Sequence, residues 1–182
     1  MRLLQIIGTL DPSYGGPIEA LTQGTRTLQM LGHHSETVTL DDANAPWLEE
    51  YPGIVHALGP SLGKYRYNSR LVTWLRAHAG SFDAIIVRGI WQYQSLATWI
   101  ASRKKNFPYF VFVHGALDPW FKETYPLKHL KKWLYWPWGE YKVLRDATGV
   151  LFTSEEERAL ALRSFRLYRA NEIVVNYGTS KP

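Results

Sequence analysis

The sequence predicts an α/β fold in which a doubly wound, mainly parallel sheet is flanked by helices. Short apolar runs alternate with amphipathic stretches along the whole chain, which is the pattern of repeated β–α units. The two most apolar runs, residues 84–87 and 109–113, are unbroken, as expected for parallel strands that are covered on both faces. A length of 182 residues suits one domain or one half of a larger protein.

The first half of the chain is predicted to contain three strands and two helices. The strands are residues 3–7, 36–40 and 54–58, and the helices are residues 18–31 and 68–79. In the first helix, Leu21, Leu28 and Leu31 share one face, and Gly32 supplies the stop. The second helix has its apolar residues at three- and four-residue spacing.

The second half continues the alternation. Its strands are predicted at residues 84–87, 109–113, 149–152 and 173–175, with a crossover helix at 92–106. A basic and aromatic stretch at 120–145 is broken near Pro137. Ser154 begins a further helix, and Glu157 three residues later completes the pattern of a capping box.

Composition narrows the classes of function. The chain has no Cys, which excludes disulfides, thiol catalysis and thiolate metal sites. A net charge of +5 permits an acidic partner without requiring one, and we expect no nucleic-acid partner. The first apolar run is too short for a signal peptide, and no run approaches the length of a membrane span, so a cytoplasmic location is expected.

A glycine pair marks the loop between the first strand and the first helix. Gly15 and Gly16 would let the backbone approach a ligand closely, beside a helix N-terminus that favours anions. The alternative is a tight turn that needs a positive φ. The loop lacks the G-x-G-x-x-G spacing, so Asp41 and Asp42 at the end of the second strand are weak evidence for a dinucleotide site.

His114 follows the strand at 109–113, at the sheet edge where ligands of doubly wound folds bind. There it could hydrogen-bond a substrate hydroxyl or exchange a proton. The alternative is a His that bonds only to the neighbouring loop. The chain has no G-x-S-x-G motif, which disfavours Ser–His–Asp hydrolysis.

Arg88 and Trp91 follow the neighbouring strand at 84–87. Arg88 could bind a phosphate or carboxylate, and Trp91 could stack on a sugar. The alternatives are an ion pair at the sheet edge and a core Trp, which we favour slightly. No His or carboxylate cluster has the spacing of metal ligands, so no metal site is predicted.

The stretch 120–145 combines lysines with aromatic residues. Lysines contribute to binding at an anionic membrane, and Trp prefers the boundary between headgroups and hydrocarbon. This pattern predicts a surface for a membrane or a membrane-bound acceptor made by Lys128, Lys131, Lys132, Trp133 and Trp136. The alternative, of equal weight, is that the aromatic residues pack on the core and the lysines form a solvated face.

Taken together and in order, these segments resemble the N-terminal half of a bacterial family-4 glycosyltransferase of the GT-B fold. The resemblance spans nearly the whole chain and is closest to enzymes that build exopolysaccharide or lipopolysaccharide. It is carried by Gly8–Pro17 with Glu19 and Ala20, Leu31–His33, His114–Trp120, Lys131–Trp136 and Phe152–Glu157.

The resemblance implies a Rossmann-like, acceptor-side domain at 1–176 and the start of an interdomain linker at 177–182, with the C-terminal donor domain absent. It implies transfer of a sugar, with retention of configuration and without a metal, from a nucleotide-sugar donor to a glycan or lipid-linked acceptor. Gly15 and Gly16 match the loop near the donor diphosphate and acceptor, and His114 matches a His near the transferred sugar. Asp118 lies in the same segment as His114 and is a further candidate for substrate binding.

The two Glu of the donor half, separated by seven residues, have no counterpart here. We therefore expect no turnover by this chain alone. The resemblance also implies a cytoplasmic protein that is peripheral on the inner face of the plasma membrane. The alternative is a noncatalytic carbohydrate- or nucleotide-binding module of the same fold. A dinucleotide oxidoreductase is weaker, because the glycine fingerprint is missing.

Overall fold

Seven strands form one fully parallel sheet in the computed structural model, which describes residues 1–120, 124–165 and 167–175. The strands are β1 (Arg2–Ile7), β2 (His34–Thr39), β3 (Ile54–Ala57), β4 (Ala84–Arg88), β5 (Tyr109–Phe112), β6 (Gly149–Phe152) and β7 (Glu172–Val174). Their order is β3-β2-β1-β4-β5-β6-β7. The predicted fold class is confirmed, and each predicted strand is present to within two residues.

Six α-helices connect the strands in the described part of the chain. They are α1 (Gly16–Met30), α2 (Ser69–His78), α3 (Tyr93–Lys105), α4 (Pro126–Tyr135), α5 (Glu140–Asp146) and α6 (Glu155–Ala161). Local chemistry sets several of their ends. The Asn68 side chain accepts hydrogen bonds from the first backbone N–H groups of α2, and Asn106 ends α3 in the left-handed conformation. The predicted break near Pro137 is confirmed, since it lies between α4 and α5.

The core lies against both faces of the sheet. The larger cluster joins buried residues of all the central strands to α2, α3 and α5, with Leu4, Ile85 and Val111 fully buried. A smaller cluster packs Ile18 and Leu21 of α1 against Ile7. Burial of apolar surface stabilises the fold by about 25 cal/mol per Å², and this packing holds the strand ends in fixed positions.

The chain reverses its direction across the sheet between β1 and β4. From β1 it proceeds outward to β2 and β3, then returns to place β4 on the other side of β1. In doubly wound sheets the crevice at such a point, outside the carboxyl ends of the strands, is where ligands bind. The predicted linker at 177–182 lies outside the described residues, as does Asn176, the last residue of the predicted domain at 1–176.

Candidate functional site

A cleft of about 180 Å³ opens at this reversal point, beyond the carboxyl ends of β1, β4 and β5. Three segments that follow these strands build its walls, together with the start of α1. Its lining residues are Ile7, Gly8, Thr9, Tyr14, Pro17, Ile18, Arg88, Gly89, Ile90, Gln92, Val113, His114 and Ala116. The structure thus brings His114, Arg88 and the loop of the glycine pair to one place.

The loop after β1 is anchored by Asp41. This buried carboxylate accepts hydrogen bonds from the Thr9 hydroxyl at 2.6 Å, the Leu10 backbone N–H at 2.7 Å and the Thr39 hydroxyl at 2.7 Å. Bonds to an ionised acceptor are roughly twice as strong as neutral ones. Asp41 therefore holds the loop after β1 in place. Its position at the end of β2 in the sequence did not predict this structural role.

Arg66 ties the same loop from the side. Its Nη1 donates to the Gly8 carbonyl at 3.0 Å and lies 3.8 Å from Oδ1 of Asp41, while its Nη2 donates to the Tyr14 hydroxyl at 3.2 Å. The guanidinium also lies over the Tyr14 ring. Sequence reasoning missed Arg66, because it lies in a loop 58 residues away from Gly8.

The two glycines of the pair have different backbones. Gly15 has φ +72°, which a residue with a Cβ adopts only at a cost, whereas Gly16 has no such requirement and begins α1. At either position an added Cβ would meet no atom within 4 Å. The turn therefore explains Gly15 but does not explain Gly16, whose open surface lies beside the cleft-lining Tyr14 and Pro17.

His114 lines the cleft and has a left-handed backbone conformation, with φ +49°. Its ring stacks on Phe112 with centroids 4.6 Å apart. Burial, with a smaller contribution from the charge of Arg88, lowers the pKa of His114 to about 4. The imidazole is therefore neutral at pH 7, which suits a hydrogen-bonding role better than proton donation.

Glu157 holds the turn that carries His114. Its side chain accepts the Gly115 backbone N–H at 2.5 Å and both the backbone N–H and hydroxyl of Thr153, at 2.6 and 2.7 Å. The Ser154 hydroxyl accepts from the Glu157 N–H, as the capping box predicts. The Glu157 carboxylate departs from a standard capping box. It accepts the backbone N–H of Thr153 instead of that of Ser154, and it also accepts the N–H of Gly115 in the loop after β5.

The other predicted substrate-binding residues lie apart from one another. Arg88 donates from Nε to Gln5 at 3.0 Å and lies over the Phe112 ring, at the cleft wall. Trp91 is not among the residues that line the cleft. Its indole N–H donates to the Ala116 carbonyl at 3.1 Å. Asp118 lines a separate pocket of about 300 Å³ beside α6, and its carboxylate accepts the Trp120 N–H.

Trp91 belongs to a buried cluster that contains an acidic side chain. Glu140 is fully buried and accepts the Trp91 N–H and the Ser95 hydroxyl, both at 2.8 Å. Burial raises the pKa of Glu140 to about 7. Lys132 lies 4.7 Å from the Trp91 ring centroid, and burial lowers its pKa. Glu140 lies in the basic, aromatic stretch at 120–145, where no local pattern predicts its burial.

The predicted membrane surface divides between the two sides of α4. Lys128, Lys131 and Trp133 are exposed, but Trp136 is only 3% exposed and Lys132 is half-buried against Trp91. Trp136 and Lys132 therefore do not belong to an outward surface. None of the helices in the described part of the chain is long and apolar enough to cross a membrane.

The chain matches the family of the glycosyl transferase 4-like domain over residues 15–178. Among solved structures, HepE of Anabaena in complex with UDP and glucose is 18% identical with a TM-score of 0.65, covering 98% of this chain and 45% of that one. A glycosyltransferase of Rickettsia africae is 15% identical with a TM-score of 0.60, covering 96% and 42%. MurG of Acinetobacter baumannii is 10% identical with a TM-score of 0.55, covering 100% and 46%.

This chain therefore spans less than half the length of these three structures, and their likeness to it concerns the fold. A comparison with curated proteins found no match. Within residues 1–120, 124–165 and 167–175, no three His, Asp or Glu side chains are grouped as ligands of a metal ion would be.

Proposed function

The chain belongs to the glycosyl transferase 4-like domain family, and we propose that it is the acceptor-binding half of a retaining glycosyltransferase. It would act with a donor domain that transfers a sugar from a nucleotide-sugar to a glycan or lipid-linked acceptor, in exopolysaccharide or lipopolysaccharide synthesis. The observation that carries this proposal is the cleft at the reversal point of the sheet, which brings His114 and the glycine loop together.

In this mechanism the chain's own residues bind and orient. The neutral imidazole of His114 hydrogen-bonds a hydroxyl of the reacting sugar, and Glu157 keeps its turn in place through Gly115. The open backbone at Gly16 admits the substrate close to the start of α1. Arg88 places a positive charge at the cleft wall, where negative charge develops as the nucleotide leaves. We propose no metal in this step.

The donor domain supplies the opposite wall of the active site. Because catalysis requires groups on both sides of the reacting carbon, this chain alone binds acceptor without turnover. The solved structure of HepE with UDP and glucose supports a nucleotide-sugar as donor for a protein of this fold. We place the enzyme in the cytoplasm, peripheral to the inner face of the plasma membrane.

The test compares nucleotide release by the 182-residue chain alone with release by the same chain joined to a donor domain. A panel of nucleotide sugars and acceptors should give no release above blank with the chain alone and sustained release with the joined protein. Acceptor titration followed by NMR should shift the His114 ring signals in both. Sustained release by the chain alone would contradict the proposal.

The alternative function is a noncatalytic carbohydrate- or nucleotide-binding module. The observation in its favour is that burial lowers the pKa of His114 in the cleft, which suits hydrogen bonding to a ligand better than proton transfer. It predicts ligand binding by the chain alone and no release by the joined protein, even when the donor domain is shown to bind nucleotide.

A further inference from the structure

We propose that Trp91 and Glu140 are positioning residues that hold the loop of His114 in place. Glu140 fixes the backbone of Trp91, and the Trp91 indole in turn fixes the loop after β5. This inference rests on the proposed function, since it concerns how His114 is placed for sugar transfer. It gives Trp91 a role that needs no contact with substrate.

The turn after β4 has a left-handed backbone at two positions. Gly89 has φ +85° and Trp91 has φ +70°. A glycine adopts such an angle without strain, whereas a bulky residue adopts it only at a cost. The strain at position 91 therefore accompanies contacts that only the tryptophan side chain makes, and strained residues of this kind concentrate at functional sites.

Glu140 stabilises this backbone from the start of α5. Its Oε1 accepts the Trp91 N–H and the Ser95 hydroxyl, both at 2.8 Å, and the same hydroxyl lies 2.8 Å from the Gln92 carbonyl oxygen. Because Glu140 is fully buried, water does not compete for these bonds. One carboxylate oxygen thereby joins the turn after β4 to the first turn of α3, and residues 88–90 and 92 of this segment line the cleft.

The Trp91 ring is enclosed by other side chains. Its centroid lies 5.5 Å from that of Phe165 and 5.9 Å from that of Trp136, and the Nζ of Lys132 lies 4.7 Å from it. A ring packed among such neighbours cannot turn without displacing them. The direction of the indole N–H is therefore fixed by the surrounding structure.

The indole N–H reaches the loop that carries His114. It donates to the carbonyl of Ala116, two residues after His114, at 3.1 Å. Glu157 holds the same loop by accepting the N–H of Gly115 at 2.5 Å. Each of the two loops is thus held by a glutamate, and Trp91 links one loop to the other.

This link makes the placement of His114 depend on a residue that does not line the cleft. A displacement of about 1 Å at a reacting group can reduce the rate by about a hundredfold. Loss of the bond between Trp91 and Ala116 should therefore reduce kcat of the two-domain enzyme. The KM for acceptor should change little, because no contact with substrate is removed.

The first test compares Trp91→Phe with Trp99→Phe in the 182-residue chain. Both changes keep an aromatic ring and remove one indole N–H, and that of Trp99 donates to Asp146 at 2.8 Å, away from the cleft. The free energy of unfolding should fall in both variants. In Trp91→Phe, exchange of the Gly115 N–H should become about fivefold faster relative to that of the buried Val111 N–H, the factor set by one hydrogen bond. In Trp99→Phe this ratio should stay the same.

The second test is the kinetics of the joined two-domain enzyme. Trp91→Phe should lower kcat by about tenfold and change the KM for acceptor by less than about twofold, whereas Trp99→Phe should change neither. Glu140→Leu should lower kcat to a similar extent. Glu140→Gln should lower it by less than about twofold, because an amide oxygen can accept the same two bonds. Combining Trp91→Phe with Glu140→Leu should lower kcat no further, since the two residues act as one unit.

Equal exchange ratios at Gly115 in the two Trp variants would overturn the proposal. So would unaltered kinetics of Trp91→Phe, or a rise in its KM at normal kcat, which would make Trp91 a substrate contact. If Glu140→Leu does not fold, Trp91→Phe and Glu140→Gln decide the kinetic test. If the unaltered joined enzyme transfers no sugar, the proposed function fails, and the exchange measurement on the chain alone still decides whether Trp91 holds the loop.

Discussion

The surroundings of the cleft and the helix α4 show opposite relations between polarity and burial: charged groups are buried near the cleft, and leucines are exposed on α4. Beside the cleft, the side chains of Asp41 and Arg66 are largely buried, and their hydrogen bonds hold the loop after β1. On α4, the leucines are exposed, while Lys132 and Trp136, the residue directly after the helix, pack inward. The position of the cleft follows from the strand order. The orientation of α4 instead depends on contacts with aromatic residues elsewhere in the domain, Phe165 and Trp91.

The two sides of α4 give the largest expected difference. Trp136→Ala should reduce the free energy of unfolding by about 3–5 kcal/mol, because it removes a buried ring that stacks on Phe165. Trp133→Ala, three residues earlier on the exposed side, should change it by less than about 0.5 kcal/mol. Chemical denaturation of both variants measures this contrast. Equal losses would mean that α4 does not face as described.

At the cleft, His114→Ala tests whether the buried imidazole of His114 takes part in catalysis. In the joined two-domain enzyme we expect turnover to fall by about a hundredfold or more, because a group that stabilises the transition state is lost. With a pKa of about 4, His114 stays neutral above about pH 5, so the loss should be the same from pH 6 to 8. A variant that keeps its activity but melts much earlier would show a purely structural role.

The glycine pair separates backbone geometry from access to the cleft. Gly15→Ala should cost about 1–3 kcal/mol of stability, since φ +72° is strained for any residue with a Cβ. Gly16→Ala should leave stability unchanged or raise it by up to about 1 kcal/mol. If substrate approaches Gly16, the same change should lower kcat/KM of the joined enzyme by about tenfold or more. Full activity of the Gly16 variant would mean that the glycine pair only forms a turn and does not contact substrate.

The last comparison concerns a slope, the change of stability with pH. The pKa of Glu140 is raised to about 7 from 4.5, so the folded state binds this proton more tightly than the unfolded state. Its contribution to stability is present below pH 4.5 and is lost as pH rises through 7. His114 has the opposite sign, because its lowered pKa makes stability rise between pH 4 and 6.5.

Glu140→Gln should therefore remove the falling contribution and make stability rise more steeply between pH 4.5 and 7, by at most about 1.4 kcal/mol per pH unit. Unfolding curves at half-unit intervals of pH measure the slope. Profiles of the two proteins that run parallel would mean that Glu140 does not titrate in this range.

The sequence by itself determined the strands, the helices and their alternation, because the period of apolar residues depends only on local geometry. It also placed His114 and the glycine loop at one edge of the sheet, because parallel strands that point the same way bring their carboxyl ends together. Even the apolar side of α4 was visible as a pattern of leucines at 127, 130 and 134.

Tertiary structure alone decided which side of α4 faces inward, and which polar residues are buried. Periodicity shows that a helix has two sides, but the choice between them depends on partners distant in sequence, such as Phe165 and Trp91. The same reason hid Arg66 and Glu140. Each is fixed by contacts made across 49 or more residues of chain, to Trp91 and Gly8, and no local pattern encodes such contacts.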